Sequence, residues 1–447
     1  MSAVLHRNLK KTLPTAVEGS AGYIVDDSGR KYLDACGGAA VSTLGHSNGR
    51  VIAAIKDQLD KISYAHTGTF TNEPSERLAA ELVARAPRGF GDGRAMFLGS
   101  GSEAMEAALK LARQYHVENG QPERSRIIAR DMAYHGNTLA ALSVGGHRQR
   151  REPYTPLLLD VGRVPACYEY RLRKDGESQE EFGLRSANAL EAEILRLGAD
   201  TVAAFVVEPV SGATLGTVPP VPGYFSRIRE ICDRYGVLLI ADEVMCGSGR
   251  TGTFFYLEQE GISPDIITIA KGLGAGFQPI AATLASEKVV NVMLAGSGTL
   301  WNGHTYMSHA VACAGALAVL RELDERDLLA NVTRQGAKLG AKLRERFGQH
   351  ANVGDIRGVG LFWSIELVAD RDTKAPFSTS AGLAGRIKSS AQELGLLLYP
   401  AAGCVDGEQG DHVLIAPTFD VSDSELDFIV DRLDAALRSC LPQALAA

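Results

Sequence analysis

The stretch VLLIADEVMCGSGRTGTFFYLEQEGISPDIITIAKGLG, residues 237–274, holds two short hydrophobic runs that both end on charge. The first, 237–241, runs into Asp242 and Glu243; the second, 266–270, stops directly on Lys271. Runs of this kind, with no polar alternation, describe strands buried on both faces, as in a parallel sheet. A third run, 202–207, ends on Glu208 and Pro209. The segment between 207 and 237 places Phe225, Ile228, Cys232 and Tyr235 on one helical face. Apolar strands alternating with amphipathic helices predict a mainly parallel sheet covered by helices, an α/β architecture.

The same rhythm extends outward. Residues 95–98 and 126–129 read as strands, 76–85 as a helix, and 102–116 as a helix with Met105, Ala108, Leu109 and Ala112 on one face. A helix over 309–323 closes the block. Beyond 325, GVGLFWSIELV (358–368) reads as a strand, about 382–394 as a helix, and a last helix starts at Ser422. Near the N-terminus, GYIVDDSGRKYLDA (22–35) predicts two strands around an Asp27-Ser28-Gly29 turn. The division that follows is a large domain over 63–325 and a smaller α+β domain built from 1–62 and 326–447. RLRKDGESQEE (171–181) reads as a solvated loop.

Composition narrows the function classes. The chain has 447 residues and a net charge of −7, which argues against nucleic acid or an anionic membrane as its main partner. Its seven cysteines are scattered and form no C-x-x-C pair, so neither a disulfide framework nor a zinc site is expected, and a reducing cytoplasm fits. No apolar signal-like region opens the chain, and the apolar run 310–320 is too short to span a bilayer.

In open parallel sheets, ligands bind beyond the carboxyl ends of the strands. Collecting what lies there gives Ser100, Gly101 and Ser102 before a helix N-terminus, Tyr134, His135 and Gly136 after the 126–129 strand, Glu208, Asp242 and Lys271. Free N–H groups at a helix N-terminus bind phosphate, although a serine N-cap explains Ser100 equally well. Gly99, Gly101 and Ala104 also match a loose dinucleotide fingerprint, which alone is weak. Asp242 and Lys271 favour pyridoxal 5'-phosphate, which needs an anion on its pyridine nitrogen, a lysine for a Schiff base and a place for its phosphate. Tyr134 is placed to stack on a flat ring, its ordinary alternative being a core tyrosine.

The run ADEVMCGSGRTGTFFYLEQEGISPDIITIAKGLGAGFQPIAA (241–282) resembles the signature of class III pyridoxal-phosphate aminotransferases, the ω-amino-acid and amine transaminases. The resemblance continues through GYIVDDSGRKYLDACGG, LGSGSEAMEAALKLAR, YHGNT, VVEPV and GHTYMSHAVACAGALAV, covering nearly the whole chain. It implies fold type I and a homodimer with shared sites. It implies that Lys271 carries the aldimine and later shuttles a proton, Asp242 pairs with the pyridine nitrogen, Val244 packs under the ring and Tyr134 over it. Gly101 and Ser102 would bind phosphate, Glu208 would lie near ring and substrate, and Thr305 would reach the phosphate in the partner subunit. The expected reaction moves an amino group from a primary amine or ω-amino acid to a 2-oxo acid, with pyruvate favoured, in two ping-pong halves. Alternatives are a decarboxylase, aminomutase or racemase on the same scaffold and, more remotely, a nicotinamide-dependent oxidoreductase.

Two departures bear on the substrate. Many ω-amino-acid members carry an arginine where this chain has Asn137, and a second arginine in the late loop, which here, over 401–419, contains no lysine or arginine. These absences argue against γ-aminobutyrate-type and ornithine-type assignments and leave His412 as that loop's one possible cation. The cluster Arg148, Arg150 and Arg151 reads first as a solvated face, with a carboxylate-pairing role as its alternative.

Overall fold

The structure is a computed structural model and describes residues 2–442; residue 1 and residues 443–447 of the expected smaller domain lie outside it. Its centre is a seven-stranded sheet in the order Arg94–Leu98, Ala281–Ala285, Ile266–Ile269, Leu238–Asp242, Val202–Val207, Arg126–Arg130, Gly162–Val164. Neighbours from Ile266–Ile269 to Gly162–Val164 pair in parallel, and only Ala281–Ala285 runs against its neighbours.

The lack of alternation in the strands has a direct cause. Phe205, Val207, Leu239 and Ala241 pack with Phe182, Leu190, Phe225 and Ile228, from helices Gln179–Leu197 and Tyr224–Tyr235. The intervening Ala204, Val206, Leu238 and Ile240 pack with Met105, Leu109 and Tyr115, from helix Gly101–Glu118. Each strand residue therefore enters a core, whichever side it faces. Helix Tyr224–Tyr235 ends at Gly236, whose left-handed φ of 63° turns the chain straight into the next strand.

The two ends of the chain meet. Tyr23–Asp26 and Lys31–Asp34 form the expected hairpin, and Lys31–Asp34 pairs in parallel with Leu396–Leu397. A second four-stranded antiparallel sheet has the order Val353–Val359, Phe362–Leu367, Asp411–Ile415, Tyr399–Ala402. The single strand expected over 358–368 is thus the hinge of a hairpin. Gly360, at φ 56°, turns the chain where a Cβ would come within 2.6 Å of the Thr251 carbonyl carbon. That close approach lets Leu361 donate to the Arg250 carbonyl at 3.1 Å. The buried Arg250 guanidinium in turn donates to the carbonyls of Leu361 (3.1 Å) and Pro417 (2.6 Å), tying the loop after the Leu238–Asp242 strand to the C-terminal segment.

Two further differences stand out. A 20-residue helix, Leu328–Phe347, is not among the expected elements. The 171–181 tract is not one solvated loop. Arg171 closes a short helix, Glu169–Leu172, and pairs with the buried Glu366 at 2.6 Å, while Gln179 opens helix Gln179–Leu197 behind a Ser178 capping box. A carboxylate buried on Phe362–Leu367 needs a cation, and the tract supplies it.

Candidate active site

Lys271 follows the Ile266–Ile269 strand and begins a 3-10 turn, Lys271–Leu273, with φ at 45°. A left-handed non-glycine residue is strained by about 1–2 kcal/mol, so its surroundings hold it there. Burial pushes the Lys271 ammonium below its ordinary range, and the nearby Asp242 and Glu208 carboxylates offset this only in part. The result is an amine more readily neutral, and so more nucleophilic, than a surface lysine.

Asp242 ends the Leu238–Asp242 strand and is 5% exposed. Its Oδ2 lies 2.7 Å from His135 Nδ1, and its Oδ1 accepts the Val244 N–H at 3.1 Å. A carboxylate oxygen at that distance pairs with an Nδ1–H donor, and His135 Nε2 is left buried without a described partner. Glu208 is also buried. Its Oε1 accepts the Tyr134 N–H at 2.6 Å and its Oε2 the Gly212 N–H at 2.9 Å. Burial raises the Glu208 carboxyl above its ordinary range, and His135 and Arg130 oppose the shift. Glu208 therefore faces the site while pinning the loop that carries Tyr134.

The anion-binding end is built by Ser100, Gly101 and Ser102. Ser100 is the N-cap of helix Gly101–Glu118, its hydroxyl accepting the Glu103 N–H at 3.2 Å. Ser102 Oγ accepts the Asn137 N–H at 2.9 Å, which joins the helix start to the 134–137 loop. No described residue accepts from the N–H of Gly101 or Ser102, the usual state of first-turn donors. Glycine is required at 136, where φ is 136° and a Cβ would meet Ser102 Oγ at 2.7 Å. At Gly101 a Cβ would press on Val244 Cγ1 at 3.1 Å.

These residues line one cavity of about 300 Å³: Ser100, Gly101, Ser102, Tyr134, His135, Gly136, Glu208, Asp242, Val244 and Lys271. Thr305 is absent from its lining. It sits exposed in the segment before helix Ala310–Glu325, its carbonyl accepting Tyr64 Oη at 2.9 Å. A larger cleft, about 670 Å³ and bordered by Arg173, Arg344 and Arg357, receives none of the strand-end groups. His412, the expected cation of the late loop, is fully buried and burial pushes its imidazole down to about 3, so it carries no charge near neutrality. The arginine cluster divides: Arg148 is exposed and 3.4 Å from Glu408, whereas the Arg150 guanidinium lies over the Tyr134 ring at 4.8 Å.

The model of the class III aminotransferases matches residues 4–437. The chain belongs to that family. An uncharacterized aminotransferase of Schizosaccharomyces pombe is 44% identical over 427 residues, covering 95% of this chain and 93% of the relative. A taurine–pyruvate aminotransferase of Rhodobacter capsulatus is 37% identical over 427 residues, covering 94% and 91%. Among solved structures, an amine transaminase from an uncultivated Pseudomonas species, in its PLP-bound form, superimposes with a TM-score of 0.90 at 33% identity, covering 98% of this chain and 97% of that one. This class III aminotransferase thus has the fold-type-I architecture of its relatives, and the dinucleotide reading of Gly99, Gly101 and Ala104 falls away.

Two features of this aminotransferase escape sequence reasoning. The His135–Asp242 pair joins residues 107 positions apart, and only the order of strands in the sheet, with Val202–Val207 between the two that lead to it, could have foretold it. The role of Arg250 as a buried tie had a local signal, an arginine among glycines and threonines, but its acceptors lie 111 and 167 residues away. No described helix is long and apolar enough to cross a membrane.

Proposed function

We propose that this class III aminotransferase binds pyridoxal 5'-phosphate and moves an amino group from a primary amine or ω-amino acid to a 2-oxo acid, with pyruvate as the favoured acceptor, in two ping-pong halves. The observation that carries the reading is a single one. A lysine with a depressed pKa shares a 300 Å³ cavity with a buried Asp–His pair and a helix N-terminus with free N–H groups.

The residues fit the cofactor. Gly101 keeps a side chain out of the space above Val244, and first-turn N–H groups await an anion. When bound, pyridoxal phosphate supplies an electron sink for the carbon that bears the amino group. The rest falls to the chain. Lys271 Nζ would hold the cofactor covalently and, once displaced by the incoming amino group, would be free to take and return the proton of that carbon. Asp242 would hold the proton on the pyridine nitrogen, and the His135 Nδ1 contact at 2.7 Å keeps the aspartate oriented. Gly101 and Ser102, with the Ser100 and Ser102 hydroxyls, would hold the phosphate, and Tyr134 and Val244 would pack against the ring, while Glu208 with Gly136 fixes the Tyr134–Gly136 loop.

Thr305 acts in the second copy's site. Exposed aromatics around it support a homodimer: Trp301 is 74% exposed and Tyr306 68%. We take 63–325 as the cofactor-binding unit and 1–62 with 326–447 as the smaller one. Seven free, buried cysteines support a reducing compartment such as the cytoplasm. The relative named for taurine and pyruvate supports pyruvate as acceptor.

The test is a half-reaction screen. Loaded protein is mixed with single amines, and the change in cofactor absorbance is followed by restoration with pyruvate and detection of alanine. Release of carbon dioxide, or an isomerised substrate with no amino transfer, would replace this reading with one of the other reactions.

A further inference from the structure

A 2-oxo acid brings a carboxylate into the cavity, and a carboxylate without a partner there is costly. The charged groups already lining the cavity are Lys271, Asp242 and Glu208. Lys271 is committed to the cofactor, and the other two carry the wrong sign. Loop 401–419 has no lysine or arginine, and His412 within it is neutral. Arg130, buried beside Glu208, is spent on the Glu208 carbonyl at 2.5 Å and on Ser211 Oγ at 2.8 Å.

Beyond the exposed Arg7, whose charge also reaches Tyr134, the cations near the site lie on the short helix Arg148–Arg151. Arg148 points to solvent and Glu408. Arg151 lies near Asp131 and Arg163, and its charge lowers the pKa of both. Arg150 differs from both in its contact: its guanidinium carbon lies 4.8 Å from the centroid of the cavity-lining Tyr134 ring. Like Arg151 it is half-buried and its side chain forms no ion pair or hydrogen bond with any described residue. With no described acceptor, the Arg150 N–H groups are free to pair with a carboxylate, which a guanidinium can do bidentately. The helix is braced from the far side: Gly407 packs so closely that a Cβ there would lie 3.0 Å from the Arg148 backbone nitrogen. The late loop, which has no cation of its own, thus supports the helix that has one.

We propose that Arg150 anchors the carboxylate of the 2-oxo acid acceptor and so determines acceptor specificity. This rests on the transaminase reading above. It selects acceptors whose carboxylate adjoins the reacting carbonyl, and it leaves the amine donor free to be uncharged, since the donor needs no such anchor.

The test separates binding from turnover. Pyruvate has no amino group to give, so its binding to the cofactor-loaded wild type is read by calorimetric titration. Arg150→Ala is expected to weaken that binding roughly ten- to a hundred-fold, the range for losing a charged hydrogen-bonded pair. Arg150→Lys restores part of it, and Arg148→Ala changes it less than two-fold. The half-reaction with a carboxylate-free amine stays within about two-fold in all three variants, and thermal melting checks that each is folded. Unchanged pyruvate binding in both folded Arg150 variants, or equal losses in the amine half-reaction and in pyruvate binding, would overturn the proposal; the second result would make Arg150 a prop for Tyr134. If wild type reacts with no amine, the transaminase reading fails on its own, and the pyruvate titration still tests Arg150.

Discussion

His135 Nδ1 sits 2.7 Å from Asp242 Oδ2, and both side chains are buried beyond strands Arg126–Arg130 and Leu238–Asp242, which flank Val202–Val207. The pair fixes which face of the carboxylate remains for a ligand. Asp242→Asn keeps the size and removes the charge. The expected loss is about 3 kcal/mol or more in transition-state stabilisation, a hundred-fold or greater fall in kcat/KM. His135→Ala should cost about 1.5–3 kcal/mol, the value of one hydrogen bond to a charged group. An Asp242→Asn variant within a few-fold of wild type would contradict the assigned role.

Lys271 should reveal its environment even without cofactor. Its folded pKa lies below the unfolded value of 10.5. Below the folded pKa the lysine is charged in both states, and its burial penalty is fully present. As pH rises from the folded pKa to the unfolded value of 10.5, the unfolded state holds more protons and the penalty disappears. Lys271→Met should therefore raise the Tm of cofactor-free protein near neutral pH, and the gain should shrink toward pH 10. With cofactor added, Lys271→Ala should lack the lysine-linked absorbance band and multiple turnover.

Glu243 supplies a pH dependence of opposite sign. It is completely buried, accepting the N–H groups of Tyr256 at 2.6 Å and Leu257 at 3.0 Å, and burial pushes its carboxyl up to about 8 from 4.5. Between those values the folded state holds a proton that the unfolded state has lost. Its contribution to stability is present below pH 4.5 and declines as pH rises toward 8, by at most about 1.4 kcal/mol per pH unit. Glu243→Gln, which needs no protonation to be buried, should flatten the slope of Tm between pH 5 and 8 and gain on wild type as pH rises through that window. An unchanged slope would show that Glu243 is ionised in the folded protein.

Thr305 tests the shared site. Thr305→Ala should weaken cofactor retention, measured by dialysis, while leaving the melting of cofactor-free protein within about 1 °C. Light scattering should give a dimer mass, and a fully active monomer would remove the reason for assigning Thr305 to a second copy.

The sequence by itself determined the alternation of buried strands and amphipathic helices, and with it the position of the strand-end groups. Such patterns are local: one residue in two, or one in three or four, reports the side that meets a core. The Val202–Val207 strand is legible because all six residues are buried, and Lys271 and Asp242 are legible because charge interrupts apolar runs. Helix Leu328–Phe347 was also written locally, in Leu328, Val332, Leu339, Leu343 and Phe347, but Gly336 and Gly340 weaken the pattern. Those glycines exist for contacts with Gly360 and Trp363, where a Cβ would come within 2.0 and 2.3 Å. Only the tertiary structure decided such distant matters. It reversed Ala281–Ala285, folded 353–367 into a hairpin, paired His135 with Asp242, and gave Arg148, Arg150 and Arg151 three different surroundings. Each of these depends on which groups meet across long chain separations, and neighbouring residues carry no record of partners brought together only by folding.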